Sequence, residues 1–178
     1  MKILIASDIH GSAYYLKKVL EKFKEEKADK IVLLGDIYNH GPRNSLPKDY
    51  APMQVADMLN QINKDLIVIK GNCDSTVDTM ISQFDFVGSA VIISANKSVF
   101  LTHGHIYNKD SMPKTYYDAV IYGHFHTGFI ERQNGVVVAN AGSTSLPKNG
   151  TPNSFLILDG GELTLKEIDG KVIDKIKI

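Results

Sequence analysis

At 178 residues the chain fits one domain, residues 1–178, with a full hydrophobic core. Its 43% apolar and 22% charged residues are the balance of an ordinary globular protein. Twenty basic residues against twenty acidic ones supply no field for a polyanion, so neither a large nucleic acid nor a membrane is an expected partner. The single cysteine, Cys73, excludes an intrachain disulfide and suits a reducing, cytoplasmic compartment.

Lys2 to Ser7 is a short apolar run that reads as a buried strand. Ser12 can cap the helix after it, where Leu16, Val19, Leu20 and Phe23 recur at helical spacing. Ile31 to Leu34 reads as a second strand, followed by a Gly/Pro-rich loop from Asn39 to Pro52 and a helix from Met53 to Ile62. Leu66 to Ile69 is a third strand, and Asp74 or Ser75 can cap a short helix carrying Val77, Met80 and Ile81. The second half changes character. Ala90–Ser94 and Val99–Thr102 suggest a hairpin turning at Asn96-Lys97, and a short helix is predicted around Pro113–Tyr117 before the strand Ala119–Tyr122. Further strands are separated by Asn134-Gly135, Gly160-Gly161 and Asp169-Gly170. No apolar run approaches the ~20 residues of a spanning helix. Strand–helix alternation followed by antiparallel strands predicts an α/β fold, a layered αββα sandwich of two mixed sheets flanked by helices.

All six histidines fall in four stretches, each after a predicted strand: Asp8-Ile9-His10, Gly35-Asp36 through His40, His103-Gly104-His105 and Gly123-His124-Phe125-His126. Gly71-Asn72-Cys73-Asp74 occupies the same kind of place without a histidine. In open α/β sheets ligands bind beyond the carboxyl ends of the strands, so one sheet edge can gather Asp8, His10, Asp36, Asn72, His103, His124 and His126. If the segments are extended, alternate residues of Asp8-x-His10 and His124-x-His126 face the same way. Two ions ~3.5–4 Å apart need a bridging carboxylate, and Asp36 is the candidate. Carboxylate, amide and imidazole donors without thiolate suit manganese, with zinc, iron, cobalt and nickel as compatible ions. Plainer readings stand beside these. Asp8, Asn72 and Asp74 can cap helices, Asp36 can serve a turn, and His103 and His105 are not separable on residues alone. Phe125 reads as packing unless it lines a pocket rim.

Taken in order, these five blocks resemble the signature of the calcineurin-like metallophosphoesterases over residues 8 to 126. The loop Asn39 to Asn44 and the block Gly71-Asn72-Cys73-Asp74 are most similar to the small bacterial YfcE-type phosphodiesterases. The resemblance implies that Asp8, His10 and His126 hold one divalent ion and Asn72, His103 and His124 a second, with Asp36 shared. A metal-activated hydroxide would then attack a small phosphodiester or an activated monoester. Cys73 stands where that family usually has a histidine, which points to slow turnover of monoesters with poor leaving groups. His40 is a candidate for part of the missing catalytic role. Arg43 can bind a phosphate oxygen, with Asn39 and His105 placing the substrate. The same fold resembles that of a retromer subunit, so a protein-interaction scaffold is the alternative. The sequence is compatible with a homo-oligomer.

Overall fold

Strands β1 (Lys2–Ala6), β2 (Lys30–Leu33), β3 (Leu66–Ile69) and β4 (Phe86–Val87) lie side by side and parallel in a computed structural model that describes residues 1–178. Parallel neighbours need crossovers, and α1 (Ala13–Glu25) and α2 (Pro52–Asn60) supply the first two. Ser12 caps α1 as predicted, its hydroxyl accepting from the Tyr15 N–H at 3.2 Å, and Lys22 and Lys24 meet the negative end of the helix. No side chain caps α2, but Pro52 in its first turn lacks the N–H that would need a partner. On the other side of β1 the sheet continues with β10 (Ser154–Asp159), β11 (Glu162–Glu167) and β12 (Val172–Lys177), all antiparallel.

The second sheet has the order β5 (Ala90–Ser94), β6 (Lys97–Leu101), β7 (Ala119–Tyr122), β9 (Val136–Asn140), β8 (Phe129–Gln133). Its three central strands are parallel and its edges antiparallel. The β5–β6 hairpin turns one residue earlier than predicted. Ala95 and Asn96 both have positive φ, 49° and 63°, as a two-residue hairpin twist requires.

Alternation along the strands separates two cores. Ile3, Ile5, Val32 and Ile69 face the second sheet and meet Val99, Leu101, Ile121 and Val137, while Leu4, Ala6, Leu33 and Val68 face Leu16, Val19, Val55 and Leu59 of the helices. Burial on both faces is why these strands read as unbroken apolar runs. The outer face of the second sheet, with Phe100, Val120, Tyr122 and Val138, is covered by the stretch 104–118. The short helix predicted at Pro113–Tyr117 does not form there. Five residues including a proline, a threonine and two tyrosines cannot repay helix nucleation. Instead Tyr117 stacks on Phe100, with centroids 4.9 Å apart, and holds the loop by its side chain. The helical layer therefore lies on one sheet only. A 3₁₀ turn, Thr76–Met80, takes the place of the helix predicted after β3.

Candidate metal centre

Because β1, β2 and β3 are parallel, the loops after Ala6, Leu33 and Ile69 leave one sheet edge together. The loops after β6 and β7 arrive beside them from the second sheet. His103 Nδ1–H donates to the Leu34 carbonyl at 2.7 Å, and the His124 N–H donates to Asp8 Oδ2 at 2.9 Å. The chain does not run extended through these loops. Asp8, His10, Asp36, His124 and His126 all have φ between 50° and 65°, in the left-handed region that is uncommon for residues with a Cβ. Asp8-x-His10 and His124-x-His126 thus converge through tight turns rather than through the pleat predicted from their spacing. The turns also send the intervening residues elsewhere: Ile9 is buried against the helices and Phe125 stands half in solvent. Backbone bonds hold the turns, from Asp8 N–H to Gly35 O (3.1 Å) and from His10 N–H to Asp36 O (2.9 Å). Two glycines make the close approach feasible. A Cβ on Gly71 would lie 2.2 Å from Asp36 Oδ1, and one on Gly123 1.9 Å from Ser7 Oγ.

All seven side chains selected from the sequence meet at this edge. Asp8 Oδ1 lies 3.2 Å from His126 Nε2 and 3.6 Å from His10 Nε2, and those two nitrogens are 3.1 Å apart. His103 Nε2 lies 3.0 Å from Asn72 Oδ1 and 3.3 Å from His124 Nδ1. Asp36 stands between the groups, Oδ2 3.8 Å from His10 Nε2 and Oδ1 3.5 Å from His103 Nε2. The acceptors that the sequence did not identify are backbone carbonyls. Nδ1–H of His10 donates to Asn39 O (2.7 Å) and that of His126 to Leu146 O (2.6 Å), as His103 does to Leu34 O. A carbonyl only accepts, so each of the three rings carries its proton on Nδ1 and turns Nε2 inward.

Inward lone pairs on adjacent nitrogens repel unless a cation stands between them. Asp8 Oδ1, fully buried, has no hydrogen-bond partner. This donor set fits divalent cations: the ligand atoms of Asp8, His10 and His126, and likewise those of Asp36, His103 and His124, lie within 4.8 Å of one another. Without an ion, protons take that place. Burial disfavours a charged His103, but the Asp36 and Asp8 carboxylates overcome it and raise its pKa to about 9. Burial likewise works against a charged Asp8, and its histidine neighbours still hold it well below the usual carboxylate range.

Residues 1–162 match the calcineurin-like phosphoesterase superfamily domain. The chain belongs to that superfamily. It is 39% identical over 181 aligned residues to phosphodiesterase YfcE of Escherichia coli, covering 100% of this chain and 98% of that one. The solved structure of E. coli YfcE, described as a phosphoesterase, superposes with a TM-score of 0.96 at 38% identity over the whole of both chains. Vps29 of Chaetomium thermophilum has the same fold, with a TM-score of 0.68 at 16% identity over 99% of this chain and 97% of that one.

Above the centre opens a cleft of about 740 Å³. Asn39, Arg43 and Cys73 line it, as do Asp36, Asn72, His124 and His126. His40 and His105 do not line it. His40 packs edge-on against Tyr50, with centroids 5.3 Å apart, and His105 lies outside beside His103 and His124. Burial and the Asp36 carboxylate push the Cys73 thiol up to about 12, so it is uncharged at neutral pH. Asp74 caps no helix; Ser75 begins the 3₁₀ turn instead. Its carboxylate accepts from the N–H groups of Asp36 (2.8 Å), Ile37 (2.8 Å) and Gly71 (2.7 Å), tying the loops after β2 and β3 together.

Sequence reasoning missed Lys148 and Asn44 in the cleft wall and treated Phe125 chiefly as packing. The place of Lys148 follows from a strand direction that the structure reveals. Strand β9 is parallel to β7, so the loop after Asn140 also runs to this edge, and Ser143 and Ser145 there donate to the Asp8 carbonyl at 2.8 and 2.9 Å.

Proposed function

We propose that residues 1–178 form a single-domain, metal-dependent phosphodiesterase that hydrolyses small phosphodiesters, or activated monoesters, in this cleft. The observation that carries the reading is the position of Asp36, which turns one oxygen toward His10 and the other toward His103 at the cleft floor. Asp8, His10 and His126 would hold one divalent ion and Asn72, His103 and His124 the second, with Asp36 common to both. Manganese is our choice, because the donors are imidazole, carboxylate and amide oxygen and the one nearby thiol is protonated. When bound, such a pair lowers the pKa of water toward neutrality and offsets charge on the phosphoryl oxygens.

The protein's own groups do the rest. The carbonyls of Leu34, Asn39 and Leu146 hold three imidazoles in the tautomer that offers Nε2 inward. Arg43 and Lys148 bring positive charge to the cleft wall for the phosphate oxygens. Asn39 offers an amide, already oriented because its Oδ1 accepts from the Gly41 N–H at 2.8 Å. Cys73 contributes a neutral thiol where an imidazolium would stabilise a dianion better. A diester carries one charge fewer than a monoester and depends less on that missing cation. Charge balance over the chain favours a small substrate over a polymer, and no helix is long and apolar enough to cross a membrane. The lone thiol fits a reducing compartment, and we assign the protein to the cytoplasm.

The test is metal analysis of the purified protein, with hydrolysis of an aryl phosphodiester followed before chelation, after it and on restoring manganese. Activity that vanishes and returns supports the reading. Protein that stays inert with manganese bound points to the scaffold alternative.

A further inference from the structure

Phe125 is 46% exposed, yet it stands in the cleft wall between two residues of the metal centre. A single exposed aromatic needs no explanation in general. This one is braced. Its ring meets His124 edge-on at 5.0 Å and 79°, and Tyr122 at 6.1 Å and 75°. Its N–H donates to the Gly123 carbonyl at 2.7 Å, within the turn that carries His124. Tyr122 is itself fixed, being almost fully buried and accepting from the Lys109 N–H at 3.2 Å. The ring is therefore held by neighbours on its protein side while its exposed part borders the cleft. Across the sequence, Pro42 brings a second flat apolar surface into the same otherwise polar wall, from the loop that also carries Arg43. A phosphoester whose phosphate lies at the Asp36 floor must direct its ester groups along that wall.

We propose that Phe125 is a stacking platform that selects phosphodiesters bearing a flat aromatic group, an aryl or a nucleobase, on the ester that is retained. The proposal rests on the phosphodiesterase reading above and deepens it to a substrate class. Stacking on a fixed ring restricts little additional freedom and tolerates any π-face, so it distinguishes flat esters from alkyl esters rather than one base from another.

The test compares phenyl 4-nitrophenyl phosphate with methyl 4-nitrophenyl phosphate in the manganese-loaded protein. In both, a water oxygen replaces 4-nitrophenolate on phosphorus, and only the retained ester differs. The phenyl-to-methyl ratio of kcat/KM is expected to fall about tenfold in Phe125→Ala and to recover in Phe125→Tyr, which cancels the intrinsic reactivities of the two esters. Calorimetry with phenylphosphonate and methylphosphonate reads the same preference as equilibrium binding. A ratio that Phe125→Ala leaves unchanged, with both esters or both phosphonates weakened alike, overturns the proposal and makes the ring a support for the ligand turn. Should the alanine variant lose manganese, Phe125→Leu decides, since it keeps bulk without a π-face: a lower ratio supports the platform and an unchanged one refutes it. A native protein that hydrolyses neither ester would defeat the phosphodiesterase reading, while the phosphonate measurement would still decide the role of Phe125.

Discussion

The two halves of the centre differ in how far they are closed. Asp8, His10 and His126 are 0–2% exposed, and the Asn39 and Leu146 carbonyls orient the two rings. On the other side His103 is fully buried, but Asn72 is exposed and His124 half-buried. The closed half has two imidazoles and a carboxylate of its own; the open half has two imidazoles and a neutral amide. Under the proposed function, an ion in the first half would be held by enclosure and charge, whereas the second half would keep an approach for a substrate from the cleft. The lesson is a division of labour within one sheet edge, retention on one side and access on the other.

Removing the group that joins the halves should have the largest effect. Asp36→Ala is expected to lower diester hydrolysis roughly a thousandfold and to leave less than one firmly bound ion per chain. Hydrolysis kinetics with metal analysis would check this, and a variant retaining two ions would break the idea of a shared carboxylate. A contrast between the halves comes next. His10→Ala should weaken binding of the tighter ion about a hundredfold, while Asn72→Ala should weaken only the looser one, about tenfold. Calorimetric manganese titration of both variants would separate these steps, and equal losses would erase the distinction.

That these side chains meet at one edge was legible in the residues, because the parallel order of β1, β2 and β3 sends their carboxyl ends there. What escaped the sequence was conformational. The left-handed turns at Asp8 and His10 rest on the carbonyls of Gly35 and Asp36, and those at His124 and His126 on Asp8 Oδ2 and the Lys148 N–H, all distant in sequence. The carbonyls that orient the rings carry no sequence signature, since any residue has one. Lys148 sits beyond a strand whose direction the order of elements left open. The absent helix at Pro113–Tyr117 shows the same limit: Tyr117 chose a stacking partner in β6 over local propensity.

The pH behaviour of the ion-free protein sharpens the comparison further. His103 has its pKa raised from an ordinary 6.5 to about 9 by Asp36 and Asp8 acting against burial. The raised value means that its proton stabilises the fold fully below about 6.5, and that this contribution is lost as pH rises through about 9. Chelated protein should therefore be less stable at pH 9.5 than at pH 6.5, by about 3 kcal/mol, a Tm shift of roughly 6–12 °C. Manganese-loaded protein should lack that slope because the ion takes the proton's place. Identical slopes in thermal melts of the two forms would show that the nitrogen is not where the ion binds. The smallest change expected is in selectivity. Cys73→His, on the open side, should raise the monoester-to-diester rate ratio several-fold by putting a chargeable ring where the thiol now sits. An unchanged ratio would detach Cys73 from substrate choice.

The carbonyl anchors of His10, His103 and His126 carry a consequence for metal exchange. Ring planes held by main-chain oxygens are fixed by the fold itself. The size of the cage thus belongs to the architecture, and ions of similar radius must accept one shape. Swapping one such ion for another should alter how acidic its water becomes and how fast it trades ligands, with the polypeptide scarcely moving.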